Sequence, residues 1–408
     1  MTKTVAIIAA LDTKGEEAAL IRDYVAGQGL GTLVIDSGVL GAPTIPADVS
    51  RAEVAAAGGA DLDALIASRD KARAMAAMTR GAASVAARLF AEGRFAGIVG
   101  IGGSAGTAIA TSAMRALPVG VPKLCVSTVA AGDTRPYIGT KDVTLMYSVV
   151  DVAGINRLSG RILTNAAAAI AGMVAADPPK VADRPLLAAS MFGNTTPCVD
   201  RARQNLEAAG YEVLVFHATG AGGQTMESLI ADGYIAGVLD LTTTEWADEL
   251  CGGVFSAGPE RLEAAGKAGV PQVIAPGCLD MANFWAPETV PERYRDRNLY
   301  HWNPNVTLMR TTPEENARLG RIIAEKANLS VGPVAMLIPL QGVSQLDSLG
   351  GAYWWPEADR ALFEAIRENL RPDIPRIELD CNVNDPEFAD RATDVLLEML
   401  RSGRVASR

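Results

Sequence analysis

Ile101-Gly102-Gly103-Ser104-Ala105-Gly106-Thr107 sets three glycines and two hydroxyls between an apolar run and a segment of helical composition. Unobstructed N–H donors and short side-chain donors at the start of a helix are what a phosphate needs. The same residues also suit a plain strand-to-helix turn, for which glycine is the default. No Lys-Ser or Lys-Thr pair follows, so this is not a Walker A loop. Ala10-Leu11-Asp12-Thr13-Lys14-Gly15 follows the first apolar run in the same way. Asp12 or Thr13 suits a helix cap, Lys14 suits an anion, and Gly15 lets another group approach the backbone. The GxGxxG fingerprint is absent there, which argues against a standard nicotinamide site. Asp36 stands 24 positions after Asp12, where dinucleotide folds often set an acid on ribose hydroxyls. Ser127-Thr128 ends a further apolar run. Gly102, Gly103, Ser104, Gly106, Thr107, Ser127 and Thr128, with Asp12 to Gly15 and Asp36, form the candidate nucleotide pocket.

The second half repeats the theme. Phe216-His217-Ala218-Thr219-Gly220-Ala221-Gly222-Gly223 is a glycine-rich turn into a helix, and Thr242-Thr243-Thr244-Glu245 ends the next run. Gly220, Gly222, Gly223, Thr242, Thr243, Thr244 and Arg310 are the candidates for binding a small anionic metabolite. A threonine run also serves as plain capping. His217 is one of two histidines, and with Glu245 it offers a general acid/base pair; a structural histidine is the alternative. Arg310 can clamp a carboxylate or phosphate through its fork. Cys278 has no base nearby in sequence and reads as structural.

The elements that must position these residues alternate short β-branched runs with Ala-rich segments, the form of βα units around mostly parallel sheets. Strands are expected at 4–11, 32–36, 97–101, 123–127 and 143–149, then at 185–191, 212–217, 237–241, 272–275, 306–310, 334–339 and 376–380. The segment 61–93 reads as one long helix bent at Arg80-Gly81, and 154–176 as another. Asp177-Pro178-Pro179-Lys180 cannot continue a helix. The expected domains are therefore 1–178 and 184–408. In such folds ligands bind beyond the carboxyl ends of the strands. The aromatic, Pro-rich stretch 285–302 suits a lid or a subunit contact.

Bulk properties narrow the class. The chain has 408 residues, 37 basic against 47 acidic for a net charge of −10, and 49% hydrophobic residues. That composition is globular, and an acidic chain without basic clusters argues against nucleic-acid binding. Five scattered cysteines without a CxxC read as reduced thiols, with no metal site expected. No membrane span or signal segment is expected, and the location expected is cytoplasmic.

Several long motifs together resemble one family: ALDTKG at 10–15, IGGSAGT at 101–107, VSTVAAG at 126–132, FHATGAGG at 216–223, DLTTTEWADEL at 240–250 and VTLMRTT at 306–312. The chain is similar to the Tm-one-like ATP-binding domain family, an uncharacterised group that includes the ATP-binding amino-terminal region of the tomato mosaic virus resistance protein. The resemblance implies two Rossmann-like α/β domains, ATP in the first with Mg²⁺ as its companion ion, and homodimers. Tyr353-Trp354-Trp355 stands before Pro356-Glu357-Ala358-Asp359 where the family carries a Phe-containing segment, so that part of the second domain departs from the pattern. The resemblance supplies no reaction. Two functions follow: a nucleotide-dependent enzyme acting on a small anionic metabolite in an interdomain or second-domain cleft, or a non-catalytic nucleotide-responsive protein acting through a protein partner.

Overall fold

The computed structural model describes residues 2–177, Pro179 and 184–406. The chain divides into two compact units, 1–180 and 181–408. Of the expected boundary, Pro178 and residues 180–183 lie outside the described residues.

Unit 1 runs β1 (Thr4–Ala9), α1 (Leu11–Gly27), β2 (Gly31–Asp36), α2 (Arg51–Ala57), α3 (Leu62–Ser68), α4 (Lys71–Ala91), β3 (Gly97–Gly102), α5 (Ser104–Arg115), β4 (Lys123–Ser127), α6 (Arg135–Ile138), β5 (Thr144–Tyr147) and α7 (Arg157–Ala175). Its five strands are parallel in the order β2-β1-β3-β4-β5. Strand alternation divides β1 between two cores. Ala6 and Ile8 pack with Val54, Met78, Val85 and Ile109, whereas Val5 and Ile7 pack with Ile21, Val25, Leu163 and Ile170. Helices therefore cover both faces, as a buried parallel sheet requires.

The segment 61–93 is two helices. The break falls at Arg69, which adopts φ 48°, and Asp70 then caps α4 by accepting from the Arg73 N–H at 3.0 Å. The expected bend at Gly81 is absent. A Cβ there would lie 1.8 Å from the Val54 carbonyl oxygen, so the glycine lets α2 and α4 pack closely. Helix α7 is long and apolar enough to cross a membrane by length and composition. Leu163, Ala166, Ala167, Ile170 and Val174 on it are buried in the unit 1 core.

Unit 2 runs β6 (Leu186–Met191), α8 (Thr196–Ala208), β7 (Glu212–His217), α9 (Ala221–Ala231), β8 (Ile235–Thr242), α10 (Glu245–Cys251), α11 (Ala264–Ala268), β9 (Gln272–Gly277), β10 (Met281–Phe284), β11 (Leu299–Asn303), β12 (Val306–Arg310), α12 (Pro313–Asn328), β13 (Val334–Pro339), α13 (Pro356–Asn369), β14 (Arg376–Leu379) and α14 (Pro386–Ala406). Six strands form a parallel sheet ordered β14-β13-β9-β8-β6-β7. The strand at 306–310, expected in that sheet, is instead the centre of a small antiparallel sheet, β10-β12-β11. The 285–302 stretch holds two 3₁₀ turns and most of β11, so part of the expected lid is sheet. Both units are α/β with parallel sheets flanked by helices.

Candidate functional site

In unit 1 the strand order reverses between β1 and β3, the point where such sheets open a crevice. A cavity of about 820 Å³ lies there, within the usual size range of small-molecule sites. Asp12, Thr13, Lys14 and the 102–106 turn line it, together with Leu65, Arg69, Lys71 and Met75. Helix α5 starts against the cavity with Gly103 as its cap residue, and no side chain caps its first turn. Its first N–H groups therefore face the cavity as uncapped donors. Gly102 is required by packing: a Cβ there would lie 2.6 Å from the Gly106 Cα. Gly103 has open space and an ordinary φ of −72°. The side chains of Lys14, Arg69 and Lys71 have neither a hydrogen bond nor a carboxylate partner, so three cations surround this cavity unpaired.

Other sequence candidates in unit 1 serve the frame. Helix α1 begins at Leu11 rather than after Asp12, with Ala10 as cap and a kink at Lys14. Asp12 instead accepts from the Leu40 and Gly41 N–H groups at 2.7 and 3.0 Å, holding the loop after β2. Gly15 admits Thr44, whose Oγ1 would lie 1.9 Å from a Cβ there. Asp36 is buried, does not line the cavity, and accepts from the Leu11 and Gly38 N–H groups at 3.1 and 2.8 Å through Oδ1, so it clamps the β1–α1 junction. Burial pushes its carboxyl above the usual range. Thr107 Oγ1 and Ser127 Oγ, both buried, lie 2.7 Å apart and bond each other; Thr128 does not line the cavity. Sequence reading missed Arg69, Lys71, Leu65 and Met75. Its one available signal was Ser68-Arg69-Asp70, a capping interruption inside an Ala-rich segment.

Unit 2 corrects the second expected site. The glycine turn does bind an anion, but the anion is Glu245: Gly220 N–H and Gly223 N–H donate to its Oε1 at 2.8 and 3.1 Å. A Cβ on Gly223 would meet Glu245 Oε2 at 2.2 Å, and one on Gly222 would meet the His217 carbonyl oxygen at 1.8 Å. Arg261, buried, donates to Glu245 Oε2 at 2.6 Å and forks onto Asp240 at 2.5 and 2.7 Å. Burial raises the Glu245 carboxyl and Arg261 opposes that rise. The expected His217–Glu245 pair is not formed; His217 is exposed and its side chain has no hydrogen bond.

The threonines are spent in the same way. Thr242 Oγ1 bonds Thr195 Oγ1 at 2.8 Å, Thr243 Oγ1 donates to the Ala275 carbonyl at 3.1 Å, and Thr244 Oγ1 to that of Met281 at 3.2 Å. Arg310 is buried, donating to the Tyr353 carbonyl and Asp359 Oδ1, each at 2.8 Å, and to Asp347 Oδ1 at 3.4 Å. These residues build the strand ends of unit 2, and the Thr242, Thr243, Thr244 and Arg310 side chains and the Gly220 and Gly223 N–H groups are bonded within the chain. Among the described residues, no three His, Cys, Asp or Glu gather as a metal-ligating group.

Fold and site thus define a two-unit α/β protein with a cavity at a strand-order reversal, lined by Lys14, Arg69 and Lys71 together with Asp12, Asp70 and Asp151. The uncharacterised protein family UPF0261 matches over both units, its N-terminal domain at residues 3–179 and its C-terminal domain at 184–400, so the chain belongs to that family. It is 51% identical over 402 residues to a UPF0261 protein of Clostridium tetani, covering 98% of this chain and 100% of that one. A UPF0261 protein of Mesorhizobium japonicum is 46% identical, again over 98% of this chain and 100% of its own length. The ToMV resistance protein Tm-1(GCR237) of Solanum lycopersicum is 42% identical over 322 residues, which are 77% of this chain and 43% of the tomato protein.

Proposed function

We propose that unit 1 binds a nucleotide, ATP, with its phosphates on the 102–106 turn and its base against Leu65 and Met75. The observation that carries this reading is the trio of Lys14, Arg69 and Lys71, unpaired around a cavity that also receives the uncapped N-terminus of α5. Unpaired cations and free N–H groups around one cavity are the electrostatic setting for a polyanion. Mg²⁺ would enter with the phosphates, which supply most of its oxygen ligands, and Asp151, which also lines the cavity, is a protein carboxylate suited to it. In the enzyme reading, the small anionic metabolite shares this cavity, because the unit 2 groups expected to hold it are already paired. The composition supports a cytoplasmic setting, and the family resemblance supports a homodimer, which sedimentation would test.

The alternative is a nucleotide-responsive protein without turnover. One observation favours it: Glu245 is engaged by Arg261, so His217 has no acid partner. Titration calorimetry with ATP and Mg²⁺ tests the binding, and Lys71→Ala and Arg69→Ala should each weaken it about tenfold, or 1.4 kcal/mol. Unchanged affinity in both variants would remove the site from unit 1. Release of ADP on incubation with cell-extract metabolites would then separate enzyme from sensor.

A further inference from the structure

Three carboxylates line the unit 1 cavity, those of Asp12, Asp70 and Asp151. Two are engaged within the chain: Asp12 Oδ2 accepts from the Leu40 and Gly41 N–H groups, and Asp70 Oδ1 from that of Arg73. Asp151 is exposed, and among the described residues its carboxylate has neither a hydrogen bond nor an ion-pair partner. A free carboxylate beside bound phosphates repels them unless a divalent cation lies between.

The backbone that carries Asp151 is unusual. Val149, two residues earlier, has a φ of 64°, a left-handed conformation that β-branched residues avoid. It is the centre of a three-residue turn closed by Val150 N–H on the Ser148 carbonyl at 2.7 Å; with positive φ this turn is rare and strained. The Val149 side chain is 59% exposed, so no core packing demands the conformation. Such strain persists only where the surroundings over-determine the path, and here they do. Ser148 is buried; its N–H donates to the Ser127 carbonyl at 3.1 Å and its hydroxyl to the Val150 carbonyl at 2.7 Å. Val152 is buried in the core with Val126 and Leu163. Gly154 N–H donates to Oε1 of Glu17, a buried residue of α1, at 2.8 Å. Asp151 is therefore fixed at the cavity between a strained turn on one side and two buried anchors on the other.

We propose that the 148–154 segment holds Asp151 at the cavity as the protein ligand of the divalent cation that accompanies the nucleotide phosphates, with Val149 and Glu17 as positioning residues. This role rests on the nucleotide reading and specifies its ligand as the metal-bound nucleotide rather than the free one. A single carboxylate is enough, because Mg²⁺ is commonly held by one or two carboxylates together with substrate phosphates and water.

Titration calorimetry of the full chain with ATP, once in EDTA and once in Mg²⁺, measures how far the metal tightens binding. At least tenfold tightening is expected in the wild type. Asp151→Asn should abolish that gain, while metal-free ATP binds equally or more tightly because a repelling charge is gone. Glu17→Ala should cut the gain at least threefold with metal-free affinity within twofold. Glu17→Gln, whose amide oxygen still accepts from Gly154, should restore it. Val149→Gly relieves the strain and frees the backbone, so its melting temperature should rise while the gain again falls at least threefold. That variant carries the test should Glu17→Ala not fold. ATP binding without any gain from Mg²⁺, or an undiminished gain in Asp151→Asn, would overturn the metal role. An undiminished gain in both Glu17→Ala and Val149→Gly would overturn the positioning. A wild type that binds ATP in neither buffer would instead remove the nucleotide reading itself, and this role with it.

Discussion

Glu245 Oε1 lies 2.8 Å from the Gly220 amide nitrogen, so the glycine turn of unit 2 holds a carboxylate of its own chain. Among the described residues no carboxylate bonds the comparable turn of unit 1, and Lys14, Arg69 and Lys71 line the cavity beside it without an ion-pair partner. The same local chemistry thus has two uses, and what sits across from the turn decides between them. At β8 the next strand end brings an acid with its own arginine. At β3 it brings a cavity.

The cavity is best probed at Gly103. Its φ of −72° is ordinary, and a Cβ would meet nothing closer than Thr128 Oγ1 at 3.8 Å. Gly103→Val should therefore leave the fold intact while filling the approach to the α5 N-terminus. ATP affinity should drop at least tenfold, about 1.4 kcal/mol, with little change in melting temperature. Calorimetry that finds wild-type affinity would show that phosphates do not use this turn. Gly102→Ala should behave differently, because its Cβ meets the Gly106 backbone at 2.6 Å, and it should lose stability first.

Arg261 should be among the most costly residues to remove. It neutralises Asp240 and Glu245, both buried, and also reaches Glu227 at 3.2 Å. Arg261→Ala leaves those acids without their cation, a loss of about 3–5 kcal/mol in comparable buried pairs. Chemical denaturation measures it directly. A loss below 1 kcal/mol would mean that the acids take up protons at little cost.

Sequence reading recovered most of the frame because the signals were periodic. The strand expected at 4–11 is found at 4–9, where α1 takes over from Leu11, and the one expected at 123–127 is found there; their alternation assigns the two cores. What it missed was set across the chain. Arg69 is brought to the cavity by a left-handed backbone step between two helices, and the trace of that step in the sequence is one short interruption, Ser68-Arg69-Asp70, of an Ala-rich segment. Gly81 looked like a bend because its neighbour, the Val54 carbonyl, is 27 positions away in sequence. Glu245 looked catalytic because its true partner, Arg261, lies beyond the helix that follows it. A strand-end residue declares its type in sequence, but not whether its partner is a ligand or another residue.

Unit 2 should weaken as pH rises from mildly acid to neutral. Asp248 is buried and its carboxyl is pushed up to about 7 by burial, although it accepts from Asn283 Nδ2 at 2.6 Å and Asn283 N–H at 2.9 Å. An acid whose folded pKa lies above its unfolded value of about 3.9 holds its proton longer when folded. Stability then falls with pH between about 4 and 7, since the unfolded state binds fewer protons there. Asp248→Asn, which cannot ionise, should flatten that part of the curve. A wild-type melting temperature that rises from pH 5 to 7, with the same slope in Asp248→Asn, would contradict this assignment.

The final prediction concerns His217. As a proton-transfer residue it would need an acid or a ligand within hydrogen-bond reach. Its side chain is exposed at the end of β7 without a hydrogen bond, and Glu245 faces Arg261 and the glycine amides instead. The backbone of His217 does matter, because its carbonyl oxygen would be struck by any side chain at Gly222. His217→Asn should accordingly keep the fold, keep ATP affinity and leave any nucleotide turnover within twofold of wild type. Gly222→Ala should instead destabilise unit 2 by about 1–3 kcal/mol through overpacking. A fall in turnover of a hundredfold or more in His217→Asn, with binding preserved, would restore the histidine to catalysis and require a substrate that reaches β7.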